Sequence, residues 1–111
     1  MEIRRLTQGE KACTRGLYEE VFPEDSREFV DYYYTEKTKD NVIYAAEEDK
    51  KIRGMLHLNP YVLSVNGSER KVNYIVAVAT QRNYRRRGYM AALLRHALQD
   101  MYEAGQSFTF L

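Results

Sequence analysis

The most regular pattern of apolar positions lies near the end of the chain, in the segment MAALLRHALQDM. Its apolar residues recur at intervals of three and four, which is the repeat of one face of an α-helix. Gly105 follows the pattern and suits the C-terminal end of a helix. The spacing therefore predicts an α-helix here. Its buried stripe is expected to contain Met90, Leu93, Leu94, Ala97, Leu98 and Met101.

The middle of the chain shows a different pattern, with dense apolar stretches separated by short polar turns. The stretches are NVIYAAEE, IRGMLHLN, YVLSV and ERKVNYIVAVAT, and they favour β-strands. EDKK is predicted to be a turn after the first stretch, and Asn66 with Gly67 suits a type I′ turn between the last two. The pattern therefore predicts antiparallel strand pairs. QSFTFL, near the end, is predicted to begin another strand at Ser107.

The N-terminal part of the chain predicts a short strand, EIRRL, and two helices. Thr7 and Glu10 have the spacing of a capping box, so a helix is expected from there to about Phe22, where Pro23 stops it. A second helix is expected to start near Asp25 or Ser26. The residues predicted to share its buried side are Phe29, Val30, Tyr33 and Tyr34.

With the consecutive stretches IRGMLHLN and YVLSV counted together, the order of elements is strand, two helices, three strands, helix, strand. This order predicts an α/β fold of the α+β type, in which helices flank a mixed, mostly antiparallel sheet. A chain of 111 residues has the length of one domain. Its last apolar strand, SFTFL, would form an unprotected sheet edge. We therefore expect residues 1–111 to be the N-terminal part of a domain that is incomplete at the C-terminus.

The composition is that of an ordinary globular protein, with 44% apolar and 30% charged residues. No stretch approaches the roughly 18 apolar residues of a membrane span, and the start, MEIRRLTQGEK, lacks the apolar core of a signal peptide. We therefore expect a cytoplasmic protein with no membrane partner. Cys13 is the single cysteine, which excludes an internal disulfide and a CxxC motif, and we expect it to be a small buried helix residue.

Charge is distributed unevenly along the chain, although the net charge is only +1. Residues 1–50 contain thirteen acidic and eight basic residues, whereas residues 51–111 contain nine basic and three acidic ones. The basic residues include the run Arg85, Arg86, Arg87, and no acidic residue lies between Glu69 and Asp100. An anionic partner is therefore expected to meet the second half of the chain.

The arginine run stands directly before Gly88 and the predicted helix, and this order is typical of an anion site. The first N–H groups of a helix have no partner within the helix and lie at the positive end of its dipole. Gly88 would let the backbone approach a ligand closely. A pyrophosphate therefore fits this turn better than a single carboxylate does.

Two other interpretations of the arginine run stay open at this point. A solvated basic surface would explain it, although unpaired arginines oppose the dipole at a helix start. A nucleic-acid surface is disfavoured by the small net charge and by the lack of interleaved aromatic residues, so we expect no nucleic-acid partner. His57 and His96 have no spacing that suits a metal pair, so no metal is expected.

The turn and helix resemble motif A of the GNAT superfamily of N-acetyltransferases. Its pattern is Gln or Arg, two residues, Gly, one residue, then Gly or Ala, and Arg85, Gly88 and Met90 stand at these positions. Met90 replaces the usual small residue. RRRGYMAALL is more similar to the enhanced-intracellular-survival branch, in which bulky residues follow an RRRG turn. The order of elements resembles the family over nearly the whole chain.

The resemblance implies an acetyltransferase that uses acetyl-CoA as co-substrate and a primary amine as acceptor. Aminoglycosides, other polyamines and protein lysines are the implied acceptors. The residues implied to contact the pantetheine arm are Val78, Ala79 and Thr80. Those implied to hold the pyrophosphate are Arg86, Arg87, Gly88, Tyr89, Met90 and Ala91.

No catalytic residue is assigned within the chain. The family's general acid is usually a tyrosine after the strand that begins at Ser107, and a distant C-terminal carboxylate contributes in the similar branch, so both are expected beyond Leu111. Asn73 and Tyr74 lie where some relatives keep a carboxylate base, but neither is a base at neutral pH. A CoA-binding sensor or interaction module without catalysis is the alternative, and a homo-oligomer is compatible with the sequence.

Overall fold

The computed structural model describes residues 1–105 and 108–110, which form one five-stranded sheet with helices on both faces. Three 3₁₀ helices span Gln8–Thr14, Lys37–Lys39 and Arg82–Tyr84. The strands are β1 (Glu2–Arg5), β2 (Val42–Glu48), β3 (Lys51–Val65), β4 (Ser68–Thr80) and β5 (Phe108–Phe110), and the α-helices are α1 (Arg15–Val21), α2 (Arg27–Glu36) and α3 (Tyr89–Glu103).

The strands lie in the order of the sequence, β1-β2-β3-β4-β5. The first four form antiparallel pairs, and β5 runs parallel to β4. The predicted α/β fold with a mixed, mostly antiparallel sheet is therefore confirmed. The predicted start of the last strand at Ser107 lies outside the described residues.

The two faces of the sheet carry separate cores because successive residues of a strand point to opposite sides. Leu56 of β3 packs with Leu93 and Ala97 of α3 on one face. Its neighbour Met55 packs with Leu17 of α1 on the other face, and α2 adds Val30 to that core. α3 therefore covers one side of the sheet, and α1 and α2 cover the other.

Both predicted turns have the backbone that a two-residue hairpin loop needs. Asn66 and Gly67 have φ values of 52° and 80°, and they join β3 to β4. Asp49 and Lys50, within the EDKK segment, have φ values of 56° and 62° and join β2 to β3. Positive φ at both central residues matches the right-handed twist of the flanking strands.

The first predicted helix is divided in the structure into the 3₁₀ helix Gln8–Thr14 and the α-helix α1. The capping box forms as predicted, because Glu10 accepts a hydrogen bond from the Thr7 backbone at 3.0 Å. The Thr14 hydroxyl donates to the Lys11 carbonyl three residues earlier, at 2.8 Å. Such local bonds compete with the regular α-helical pattern and favour the tighter turn.

Three side chains predicted to be buried are exposed. Met90 is 49% exposed, and Tyr89, only 2% exposed, takes the first position of the buried face of α3. Phe29 is 44% exposed because Val30 and Tyr33 face the sheet instead. Cys13 is exposed as well. Among residues 1–105 and 108–110, no helix has the length and apolar character needed to span a membrane.

Candidate functional site

The last part of β4 contains a β-bulge directly before the residues predicted to contact the pantetheine arm. Met55 pairs with Ala79, and His57 pairs with Val76, so one residue of β3 stands opposite two residues of β4. Ala77, inside the bulge, has a φ of 48°. A bulge interrupts the ladder and bends its strand. The bulge therefore bends β4 directly before residues 78–80, where Ala79 and Thr80 pair again with Met55 and Gly54.

The same segment of β4 has an open edge in the described part of the chain. β5 pairs with β4 at Asn73, Tyr74 and Ile75. Within residues 1–105 and 108–110, no strand pairs with the outer edge of β4 beyond Ile75. An extended strand presents backbone N–H and C=O groups to both sides, so this edge offers such groups to a ligand, except that the Thr80 carbonyl accepts from Arg85 Nε at 3.2 Å.

The N-terminus of α3 forms the second part of the site. Gly88 is the N-cap residue with a left-handed φ of 80°, and the Ala92 N–H donates to its carbonyl at 3.0 Å. The N–H groups of the first turn, which lie between Gly88 and Ala92, have no carbonyl within the helix to bind. A Cβ atom built at Gly88 would have no protein atom within 4 Å. The helix start therefore faces open space, as an anion site requires.

A cavity of about 370 Å³ lies at this helix start. Arg86 has a left-handed φ of 68°. Two of the three residues from Arg86 to Gly88 therefore have a positive φ. The cavity brings the end of β4 together with the arginine turn and the first turn of α3. Its lining residues are Thr80, Tyr84, Arg85, Arg86, Gly88, Tyr89, Met90 and Ala91.

The guanidinium groups near the cavity are arranged around Tyr84. The Cζ of Arg53 lies 4.3 Å from the centre of the Tyr84 ring, and the Cζ of Arg87 lies 4.7 Å from it. Arg53 also donates to the Gln81 side chain at 2.6 Å. Arg85 donates through Nε to the carbonyl of Thr80 at 3.2 Å. Stacking on an aromatic face and bonds to neutral acceptors leave the positive charge of Arg53 and Arg85 in place.

Glu48 is a site residue that the sequence did not indicate, as are Arg53 and Tyr84. Tyr89 donates its hydroxyl hydrogen to Glu48, and Nη1 of Arg87 lies 3.4 Å from the same oxygen. The Tyr89 hydrogen bond, the N-terminal ammonium group and Arg87 together hold the pKa of Glu48 below its usual value. Glu48 stands 39 residues before Arg87, and pairing of β2 with β3 brings it close. A count of charges along the sequence has no means of finding such a contact.

The nine predicted cofactor residues fall into two groups in the structure. Thr80, Arg86, Gly88, Tyr89, Met90 and Ala91 line the cavity. Val78 packs against the core under α3, Ala79 is buried in the core under α1, and Arg87 contacts Glu48 and Tyr84. The Tyr89 side chain points into the core, so only its backbone is available to a ligand.

The buried histidine is unsuited to proton transfer at neutral pH. His57 is fully buried, and its Nδ1 lies 2.8 Å from the hydroxyl of Tyr33. Desolvation, with a smaller effect of the Lys11 charge, lowers the pKa of His57 to about 3. Tyr74 makes an edge contact with Tyr61, with ring centres 4.7 Å apart. We assign no catalytic residue. In the described ranges, no group of three acidic, His or Cys side chains is placed to hold a metal.

A model of the family described as acetyltransferase (GNAT) domain matches residues 2–111. The chain belongs to the GNAT acetyltransferase family. It is therefore an acetyl-CoA-dependent N-acetyltransferase domain, as the resemblance of motif A predicted. A sequence comparison with curated proteins gave no match.

Solved structures of GNAT-type proteins share the fold. A protein of Clostridium acetobutylicum that is described as a predicted acetyltransferase, with acetyl-CoA, has a TM-score of 0.78 at 12% identity, over 99% of this chain and 79% of that protein. The aminoglycoside acetyltransferase meta-AAC0020 from an uncultured soil sample, in complex with sisomicin, has a TM-score of 0.75 at 24% identity, over 99% and 76%. A probable N-acyltransferase of Enterococcus faecalis V583 has a TM-score of 0.83 at 16% identity, over 95% of this chain and 27% of that protein.

The residues at the helix start fit the phosphates of this co-substrate. Gly88 leaves open space beside the backbone, and the arginines supply positive charge. This GNAT domain therefore offers what a pyrophosphate requires: free N–H donors, a favourable helix dipole and guanidinium groups.

Proposed function

We propose that the chain binds the pantetheine arm of acetyl-CoA along Val78, Ala79 and Thr80, and its pyrophosphate at residues 86–91. The observation that carries the proposal is the left-handed Gly88 at the start of α3, which faces an open cavity shared with Thr80. In this proposal, residues 1–111 form the N-terminal part of a GNAT domain. The reaction is transfer of the acetyl group to a primary amine.

The arrangement of β4 and α3 suits an elongated ligand with an anionic centre. Thr80 lies at the end of the open strand edge and also lines the cavity at the helix start. A ligand could therefore bind backbone groups of β4 with one end and N–H groups of α3 with its phosphates. Acetyl-CoA supplies an activated acetyl thioester when bound, and the chain contributes by holding the co-substrate in a fixed orientation.

A cationic amine is the acceptor that the charge distribution favours. A cavity of about 610 Å³ lies between α1 and α2, and Glu19, Asp25 and Asp31 contribute carboxylates to its lining. Arg15 pairs with both Asp31 and Glu19, and Arg27 also lines the cavity, so the carboxylates exceed the guanidinium groups by one. A structural neighbour is an aminoglycoside acetyltransferase in complex with sisomicin. We therefore propose aminoglycosides, other polyamines and protein lysines as the acceptor class.

Calorimetric titration with acetyl-CoA tests the phosphate site. We expect saturable binding by the wild-type chain, similar binding of desulfo-CoA, and no comparable binding of pantetheine without the pyrophosphate. Arg86→Glu should weaken binding about tenfold or more, because a charged hydrogen bond contributes about 1.5–3 kcal/mol. Arg70→Glu, an equal charge reversal at an exposed position of β4, serves as the matched control.

The titration separates the proposal from its rivals. Equal losses for Arg86→Glu and Arg70→Glu would indicate nonspecific charge attraction, and no binding by the folded chain would contradict the cofactor site. Binding without acetyl transfer to any member of an amine panel would favour a CoA-binding sensor or interaction module. A moderate salt concentration limits long-range attraction in all these measurements.

A further inference from the structure

Glu48 is a fixed carboxylate at the border of the proposed phosphate site. It is the last residue of β2, and the buried residue Tyr89 binds it through a hydroxyl hydrogen bond. The N-terminal ammonium group lies 3.8 Å from its other oxygen. These contacts come from β2, from α3 and from the start of the chain. The Tyr89 hydrogen bond and the position of Glu48 in β2 therefore restrict its movement, whereas the exposed ammonium contact at 3.8 Å adds little.

Arg87, in contrast, is held loosely. Its side chain is 57% exposed, and its distance of 3.4 Å from Glu48 exceeds the 2.7–2.9 Å that is usual for a charged hydrogen bond. Its guanidinium also lies over the ring of Tyr84, which Arg53 contacts as well. An exposed ion pair of this kind contributes little stability. Arg87 can therefore exchange Glu48 for a stronger anion at low cost.

Arg87 is one residue from Gly88, where the cavity at the start of α3 opens. A phosphate group in that cavity carries more negative charge than a carboxylate and accepts two parallel bonds from a guanidinium. Rotation about the side-chain bonds of Arg87 could carry its guanidinium from Glu48 to such a group. Tyr84 offers a flat surface that supports the guanidinium during this exchange.

We propose that Glu48 competes with the phosphates of CoA for Arg87 and thereby limits the affinity of the enzyme for CoA and acetyl-CoA. This inference rests on the proposed phosphate site and adds a residue that lowers the affinity of that site. Acetyl-CoA and the product CoA carry the same phosphates. Competition from Glu48 therefore acts on both, and it favours release of the product after each transfer.

Glu48→Gln tests the competition directly. The amide oxygen of glutamine can still accept the hydrogen bond from Tyr89, so the substitution removes the charge and preserves that contact. We expect CoA to bind roughly two to five times more tightly, which corresponds to the small free energy of an exposed ion pair. Calorimetric titration with CoA at moderate salt measures the change. Glu47→Gln, which changes the neighbouring residue and its pair with Arg4, is the matched control and should leave the affinity unchanged.

A double-mutant cycle identifies Arg87 as the partner. In an Arg87→Gln background, Glu48→Gln should no longer increase the affinity, because the contested guanidinium is absent. The inference would be overturned if Glu48→Gln left the affinity for CoA unchanged. It would also be overturned if Glu48→Gln increased the affinity equally in the wild-type and Arg87→Gln backgrounds, because that result would indicate direct repulsion between Glu48 and the ligand. Failure of the phosphate site itself would look different, since the wild-type protein would then bind no CoA.

Discussion

Gly88 and Gly67 have the same backbone conformation at different places in the fold. Both have a φ of 80°, and a Cβ atom at either position would meet no protein atom within 4 Å. Alanine at either position should therefore cost a similar free energy of unfolding, about 1–2 kcal/mol, from the left-handed backbone alone. Gly88→Ala should also weaken CoA binding, because its methyl group occupies space beside the proposed pyrophosphate. Denaturant unfolding and calorimetric titration measure the two effects.

Gly67→Ala is the matched control for this prediction, since it lies in the β3–β4 turn and reproduces the backbone strain alone. Its CoA affinity should equal that of the wild-type chain. A folded Gly88→Ala protein that binds CoA as tightly as Gly67→Ala would show that the ligand does not approach this backbone. The comparison separates loss of the site from loss of stability.

At the residue scale, local sequence order predicted some of the candidate site. Arg86, Gly88 and the first residues of α3 are neighbours in the chain, so a motif can indicate them together. Glu48 and Arg53 reach the site through strand pairing and contact residues that follow them by more than 25 positions. Such contacts depend on register, which local patterns do not contain. The bulge at Ala77 is equally hidden, since alanine carries no preference for a positive φ.

At the scale of elements, the N-terminus of α2 depends on one side-chain cap. The hydroxyl oxygen of Ser26 accepts a hydrogen bond from the Phe29 backbone N–H at 3.1 Å. Ser26→Ala should lower the free energy of unfolding by about 1 kcal/mol, since one N–H of the first turn loses its partner. Urea unfolding followed by circular dichroism measures this change. Ser64→Ala, at an exposed position of β3, should change stability much less.

Elements with a strong repeat were predicted more closely than elements with mixed signals. α3 begins and ends near the predicted residues because its apolar positions repeat over four turns. The Asn66-Gly67 hairpin also matches, because its turn requires residues that accept positive φ. The first helix was predicted as one element from its capping box, yet Thr14 bonds to the Lys11 carbonyl and the segment becomes two helices. A side-chain bond inside a helix has no clear sequence pattern.

At the scale of the whole molecule, the sheet separates two kinds of interior. The face under α3 is mainly apolar, with Leu56, Leu58 and Leu93 at its centre. The other face holds a buried polar group in which Tyr33 bonds to His57 and Asn59, and Asn41 also bonds to Asn59. Lys11 donates to the carbonyls of Thr38 and Asn41 at the end of this group. The contribution of the polar face to the free energy of unfolding should therefore depend on pH more than that of the apolar face.

His57 should make the folded protein sensitive to mild acid. Its pKa is lowered from an ordinary value near 6.5 to about 3, chiefly by burial. Between these values the unfolded chain binds a proton that the folded protein does not, so the free energy of unfolding falls as pH falls below about 6.5. Full protonation of the unfolded chain corresponds to a slope of about 1.4 kcal/mol per pH unit. Urea unfolding at several pH values between 7 and 5 measures the slope.

His57→Asn isolates the contribution of this histidine, because the asparagine amide offers both a donor and an acceptor to the Tyr33 hydroxyl in place of Nδ1. The variant should be less stable at pH 7, since part of the buried ring is lost, but its stability should depend less on pH than that of the wild-type protein. His96→Gln, which removes a partly exposed histidine of α3, measures the effect of losing a histidine elsewhere. Parallel pH profiles for the wild-type protein and His57→Asn would contradict the prediction. Carboxylates such as Glu10, whose pKa is lowered to about 2 mainly by Arg4, are present in both proteins. Their contribution to the pH dependence is therefore common to the two profiles.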